Sequence, residues 1–279
     1  MRRDCNGMVV AITGASAGIG RALAIELAGR GARLALAARR LELLEQLDRE
    51  LGGGHLCIRA DVATEQDCGY LVHACQARFG RIDTLVCNAG IGLLRSIGDT
   101  TAEEWRLLLA VNLAGTADCI RAALPLMRRQ ELRQGWRGQV VIVSSCLARR
   151  AVPDMGVYCA TKAAQLALGE SLRLEERANR IAVTTVHPVG TATEFDGAAE
   201  RLSAQRIGRR SAGEAVQDPA VVAAAVASAI MRPRPEVWPH RMSRWAFGLA
   251  TLMPGLADLA MARFRRRIDP GAQGGNTVE

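Results

Sequence analysis

Met8-Val9-Val10-Ala11-Ile12-Thr13-Gly14-Ala15-Ser16-Ala17-Gly18-Ile19-Gly20 passes from a run with strand character into a glycine-rich turn. A helical pattern, Ile19–Arg30, follows directly. Glycines at such a turn permit a tight bend and a close backbone approach, and the following helix offers its N-terminal amides to a pyrophosphate. The spacing is GxxxGxG, not GxGxxG. Glycine-rich turns also serve ordinary bends. Its place between the first strand and the first helix is what points to a bound dinucleotide.

Working outward, short β-rich runs alternate with helical patterns. The expected strands are Met8–Thr13, Arg33–Ala38, His55–Ala60, Thr84–Cys87, Gln139–Ser144, Ile181–Val186 and a weak one at Glu236–Trp238. Between them lie helices such as Leu41–Leu51, Glu65–Phe79 and Val157–Ala178. Nearly continuous apolar strands separated by helices belong to a parallel sheet covered on both faces. The expected fold is therefore α/β, a doubly wound, Rossmann-like parallel sheet of seven strands, with ligands bound off the carboxyl ends of the strands. Residues 1–235 are expected to form the cofactor-binding and catalytic domain. Residues 236–279 are expected to form a C-terminal extension of last strand, amphipathic helices and disordered tail.

Composition narrows the function. The 279 residues include eight scattered cysteines with no CxxC pair, which suggests buried free thiols in a reducing compartment and no metal site. The N-terminus runs directly into a strand, without the apolar core of a signal peptide. The net charge of +8 is not accompanied by arginine–aromatic interleaving or a finger motif, so nucleic acid is not an expected partner.

The second strand ends at Ala38, where an acidic residue would bind a ribose 2′-hydroxyl. Arg39 and Arg40 follow instead, and an arginine here can hold a 2′-phosphate bidentately. Of the 36 basic residues only Lys162 is a lysine. It lies four residues after Tyr158, on the same face of an alanine-rich helix. Lysine supplies a compact, rotatable ammonium that arginine does not. A nearby cation favours the ionised form of a phenol.

These pieces together resemble the short-chain dehydrogenase/reductase family in its single-domain branch. The matches are TGASAGIG at 13–20, Asp61-Val62, Asn88-Ala89-Gly90, Asn112 after Val111, Ser145, and Tyr158-x-x-x-Lys162, in family order. The resemblance implies an NAD(P)-dependent oxidoreductase acting on CH–OH groups, assembled as a homodimer or homotetramer. It implies cofactor contacts from Gly14, Ser16, Gly18, Ile19 and Gly20, with Asp61 and Val62 flanking the adenine. The Asn88-Ala89-Gly90 turn would brace the cleft, with Thr193 matching the expected threonine.

Reducing a carbonyl needs a hydride donor, a proton donor and a group that polarises the oxygen. Tyr158 suits the proton donor, and the base in reverse. Lys162 would lower its pKa and hold the nicotinamide ribose. By family spacing Ser145, rather than Ser144, would hydrogen-bond the substrate oxygen, and Asn112 would hold a water linking Lys162 to solvent. With Ala38 and Arg39 at the second strand, NADP(H) is the expected cofactor and NAD(H) the alternative. Three departures stand out. Pro188 is followed by Val189 and then Gly190, Thr191 occupies a commonly apolar position, and the connection Arg128–Gly138 is long and reads as an exposed excursion. The resemblance implies that the polar stretch Glu194–Gln217 forms a substrate lid.

Two other readings use the same scaffold, a dinucleotide-binding regulatory or assembly protein without turnover, and an epimerase or lyase. The extension contains WAFGLATLMPGLADLAMARF at 245–264, then Arg265-Arg266-Arg267. Pro254-Gly255 interrupts it, so each half is below the roughly 20 residues of a spanning helix. Packing on the protein's own surface is one expectation. Peripheral membrane contact through 242–267 is the other, placing the chain in the cytoplasm or at the inner face of a membrane.

Overall fold

A computed structural model describes residues 2–203 and 216–268. Seven parallel strands form one sheet in the order β3-β2-β1-β4-β5-β6-β7. They are β1 (Val9–Thr13), β2 (Arg33–Ala38), β3 (Leu56–Arg59), β4 (Thr84–Cys87), β5 (Gly138–Val143), β6 (Ile181–Val186) and β7 (Glu236–Val237). The order reverses beside β1, so the β1–β4 gap is the switch point at which doubly wound sheets bind ligands.

The pleat explains why these strands are apolar throughout. Alternate residues point to opposite faces, and both faces are covered. Val10, Ile12, Leu34, Leu36 and Val141 face one layer, formed by α1 (Gly18–Ala28), α2 (Leu41–Glu50) and α8 (Pro219–Met231). Val9, Ala11, Ala35, Val140 and Ile142 face the other, formed by α3 (Glu65–Phe79), α5 (Gly115–Arg129) and α6 (Gly156–Glu175). Asp218 caps α8, accepting from Ala220 N at 2.8 Å, with Pro219 at the first helical position as the sequence suggests.

The excursion before β5 is more than an exposed loop. Arg133 and Trp136 pair as a short antiparallel bridge, with Gln134 (φ 52°) and Gly135 (φ 85°) at its tip. Arg133 donates to the Gly7 and Asn6 carbonyls (both 2.9 Å) and to Asp83 Oδ2 (3.1 Å). Gln130 bonds both main-chain groups of Ile82. The segment therefore clamps the amino-terminal edge of the sheet, opposite the expected site. Its charged composition conceals these long-range bonds.

The start of the expected lid is also more ordered than its weak periodicity suggests. Glu194–Ser203 form a helix, α7, which buries Ala199 and Ser203. The rest of that stretch, 204–215, and the expected tail, 269–279, lie outside the described residues. All eight cysteines are free, seven of them buried.

Candidate active site

At the carboxyl end of β1 the Thr13 hydroxyl accepts the amides of Asn88 and Ala89, each at 3.0 Å. Asn88 Nδ2 donates to the Thr13 and Gly14 carbonyls at 2.9 and 3.2 Å. These bonds stitch the end of β4 to the glycine-rich turn. A Cβ at Gly20 would lie 2.3 Å from the Gly14 carbonyl oxygen, so only glycine fits this turn. α1 starts behind Ala17, which provides no side-chain cap, and its first turn contains no acidic residue. Its leading amides, including those of Ile19 and Gly20, are left for an external acceptor, and the helix dipole favours an anion there. The donor set therefore fits a pyrophosphate. Thr193 approaches from the β6 side, its Cγ2 3.0 Å from where a Cβ at Gly18 would lie.

Ala38 ends β2 without an acidic side chain, and Arg39 and Arg40 are both exposed. Arg40 donates to Ser16 Oγ (3.4 Å) and pairs with Glu194 (2.8 Å). Arg39 makes no ion pair among the described residues. After β3, Asp61 Oδ1 accepts from Ala63 N at 3.0 Å, fixing the turn that carries Val62 at the same sheet edge.

The catalytic candidates converge one strand further along. Tyr158 and Lys162 lie on the buried face of α6, with 8% and 3% exposure. Lys162 Nζ stands 5.6 Å from the centre of the Tyr158 ring. It donates to the Val143 carbonyl (3.1 Å) and to Gln165 Oε1 (3.0 Å). Gly90 leaves room for it, since a Cβ there would lie 3.4 Å from Nζ. Among the described residues the ammonium has no carboxylate partner, and burial pushes its pKa down to about 7.

Ser144 and Ser145 have separate tasks. Ser144 Oγ donates to the Lys162 carbonyl (2.8 Å) and holds α6 to the end of β5. Ser145 Oγ accepts from Leu147 N (3.1 Å), capping the short 3₁₀ turn Cys146–Ala148. A hydroxyl that accepts one bond retains its proton for donation. Asn112 is fully buried in a π-helical turn, Leu109–Ala114. Its side chain accepts from Ile91 N (2.8 Å) and donates to the Ile91 carbonyl (2.9 Å) and Thr161 Oγ1 (3.0 Å).

The sequence pattern described as short chain dehydrogenase matches residues 8–202, from just before β1 into α7. The chain belongs to the short-chain dehydrogenase family. Among relatives, a glycine betaine reductase of Emericella nidulans is 34% identical over 231 residues, 82% of this chain but 18% of that protein. The 11-beta-hydroxysteroid dehydrogenase 1A of Arabidopsis thaliana is 42% identical over 176 residues, 61% of this chain and 48% of that enzyme. The chain thus spans less than half the length of either protein. Among solved structures, the alcohol dehydrogenase of the archaeon Thermococcus sibiricus, complexed with 5-hydroxy-NADP, superposes with a TM-score of 0.72 at 28% identity. That match covers 83% of this chain and 95% of that one.

Two buried polar residues of this short-chain dehydrogenase were not singled out from its sequence. Gln165 is wholly buried one helical turn after Lys162. Besides accepting from Lys162, its Nε2 donates to the Asn112 carbonyl (2.6 Å) and Thr116 Oγ1 (2.9 Å). Lys162 and the Asn112 main chain are therefore joined through the Gln165 side chain. The available signal was an amide on the apolar face of α6. His187, just beyond β6, is also fully buried and stacks on Trp238 with centroids 4.4 Å apart. Its Nδ1 lies 3.1 Å from the Ser145 carbonyl, and burial pushes its pKa down. A neutral imidazole donating from Nδ1 braces the serine turn. Its signal was a lone histidine ending an apolar strand.

Proposed function

We propose that this chain is an oxidoreductase that transfers a hydride between NADP(H) and a carbonyl or secondary alcohol. The observation that carries this reading is the grouping of Tyr158, Lys162 and the Ser145 hydroxyl at the sheet edge that holds the uncapped glycine-rich turn. The bound nicotinamide supplies or takes the hydride. Tyr158 donates the proton to the substrate oxygen, or accepts it in reverse. Ser145 hydrogen-bonds that oxygen, and Lys162 stabilises the phenolate and holds the nicotinamide ribose. Asn112 holds a water that links Lys162 to solvent, and Gln165, bonded to both the Asn112 carbonyl and Lys162, fixes the ammonium beside it. Gly14, Ser16, Gly18, Ile19 and Gly20 form the pyrophosphate cradle, with Asp61 and Val62 on the adenine side. Asn88, Gly90 and Thr193 complete the cofactor cleft.

Tyr158 stands against an apolar wall that includes Leu93, Leu147, Val152 and Phe195, the last with its ring 5.5 Å from the phenol. That wall favours an apolar substrate, in keeping with the steroid named for the plant relative. The proposed assembly is a homodimer or homotetramer, and the proposed location is the cytoplasm or the inner face of a membrane. The test follows absorbance of the reduced cofactor across a panel of apolar aldehydes, ketones and secondary alcohols. Consumption with at least one of them is expected. Tight NADPH binding with no turnover across the panel would favour the non-catalytic reading instead.

The 2′-phosphate assignment rests on Ala38 and on Arg39, whose guanidinium has no carboxylate to compete for it among the described residues. A charge-assisted contact contributes about 1.5–3 kcal/mol, or roughly 10- to 150-fold in affinity. Arg39→Ala should therefore weaken NADPH binding by that factor and leave NADH binding unchanged. Wild-type protein that binds both cofactors equally tightly in titrations would refute the assignment.

A further inference from the structure

Two C-terminal helices pack on the protein by one side only. They are α9 (Arg241–Leu252) and α10 (Pro254–Ile268), with a bend of 110° at Met253. The inner side is tied to the turn that follows Ser145. Arg150 donates to the Pro254 carbonyl (3.3 Å) and pairs with Asp258, and Thr251 donates to the Arg149 carbonyl (3.4 Å). Phe247 rests near Trp238, with centroids 6.5 Å apart. The outer side is apolar. Met242, Trp245, Leu249 and Leu252 recur at helical spacing, with Trp245 and Leu252 74% and 80% exposed. Leu256 and Leu259 continue the exposed surface on α10. An exposed apolar stripe of this size marks a binding surface, not ordinary scatter.

The charge of this segment selects the occupant. Between residues 237 and 268 the chain has six arginines (241, 244, 263, 265, 266 and 267) against one acid, Asp258. Arg241 and Arg244 are exposed beside the stripe, and Asp258 is already paired with Arg150. An isologous contact with a second copy would set this cationic rim against itself. A bilayer with anionic headgroups takes both parts, since apolar side chains enter the acyl boundary while arginines meet phosphates. At 12 and 15 residues the helices are too short to span, and the bend between them lets both lie in the interface plane.

We propose that α9 and α10 dock this protein onto an anionic membrane surface, with the outer face of the pair lying in the headgroup region. Because the inner face holds the turn after Ser145, docking places the substrate side of the site next to the bilayer. The docking stands independently of the chemistry proposed above; its placement of the substrate side rests on that reading.

Full-length protein is floated with vesicles of phosphatidylcholine alone or of phosphatidylcholine with phosphatidylglycerol, at low and high salt. The expected result is co-flotation with the anionic vesicles, weakened by salt and by omission of phosphatidylglycerol. Trp245→Glu combined with Leu252→Glu should reduce binding about tenfold or more. Both positions are exposed, so melting temperature should not change, which separates lost docking from lost folding. Wild-type protein that stays unbound at low salt overturns the proposal, as does a double variant that binds equally well. If the same substitutions dissociate a soluble oligomer and no vesicle binding occurs, the face is an interface between copies and the proposal fails.

Discussion

Tyr158→Phe is expected to lower turnover by about 10²- to 10⁴-fold, the usual contribution of a positioned general acid or base. Deleting the hydroxyl removes the only acidic proton that the reading assigns to the substrate oxygen. It leaves the ring, and with it the 5.5 Å contact to Phe195 and the apolar wall around it. The bonds that form the cofactor cleft run through Thr13, Asn88 and α1. NADPH affinity, measured by fluorescence titration, should therefore remain at the wild-type value while kcat collapses. A phenylalanine variant that turns over at near the wild-type rate would exclude Tyr158 as the acid. A variant that loses cofactor affinity and kcat together would show instead that Tyr158 shapes the cleft.

The second large effect concerns the single lysine. Burial without a counter-charge holds Lys162 at about 7 in the protein alone, against 10.5 ordinarily. Between those values the unfolded chain retains a proton that the folded chain has released. Over that range Lys162 therefore makes folding more favourable as pH rises, with a slope of about 1.4 kcal/mol per pH unit. Below pH 7 both states are protonated, and the cost of burying the ammonium is present in full. His55 and His187 are pushed below the ordinary histidine range, so their contributions lie at lower pH. Buried thiols act in the opposite direction at higher pH, since Cys57 and Cys75 are pushed up to about 11 and 12. The clear window thus runs from pH 7 to about 8.5, the ordinary thiol value. Urea unfolding across it should show the rise in the wild type and its loss in Lys162→Met.

A direct reading is also available, because lysine-selective ¹³C labelling gives one side-chain resonance from this chain. Its midpoint should fall near pH 7. Gln165→Leu removes the Oε1 acceptor and should lower the midpoint by about one to two pH units, the equivalent of a hydrogen bond to a charged group. A midpoint near the ordinary lysine value would show that Lys162 is not buried as described. A midpoint unmoved by Gln165→Leu would remove Gln165 from the site.

Much of the fold was legible in the sequence because its signals are local. A strand buried on both faces must be apolar throughout, a turn needing close backbone approach must be glycine, and a phenol and an ammonium on one helix face must be four residues apart. Hence β2, β4, β6 and α3 have the bounds expected from the sequence, and Tyr158 and Lys162 lie together beside the end of β5, which Ser144 and Ser145 follow. What the sequence did not show depends on partners distant along the chain. Gln165 gains its place from a carbonyl 53 residues away, His187 from one 42 residues away, and Arg133 from carbonyls and a carboxylate across the sheet edge. A buried polar side chain is stable only where the fold brings a partner to it, and that partner has no fixed spacing in the sequence. The same holds for the C-terminal helices. Their apolar residues are visible in the chain, but only the packing of Arg150, Thr251 and Phe247 decides which side is covered and which faces outward.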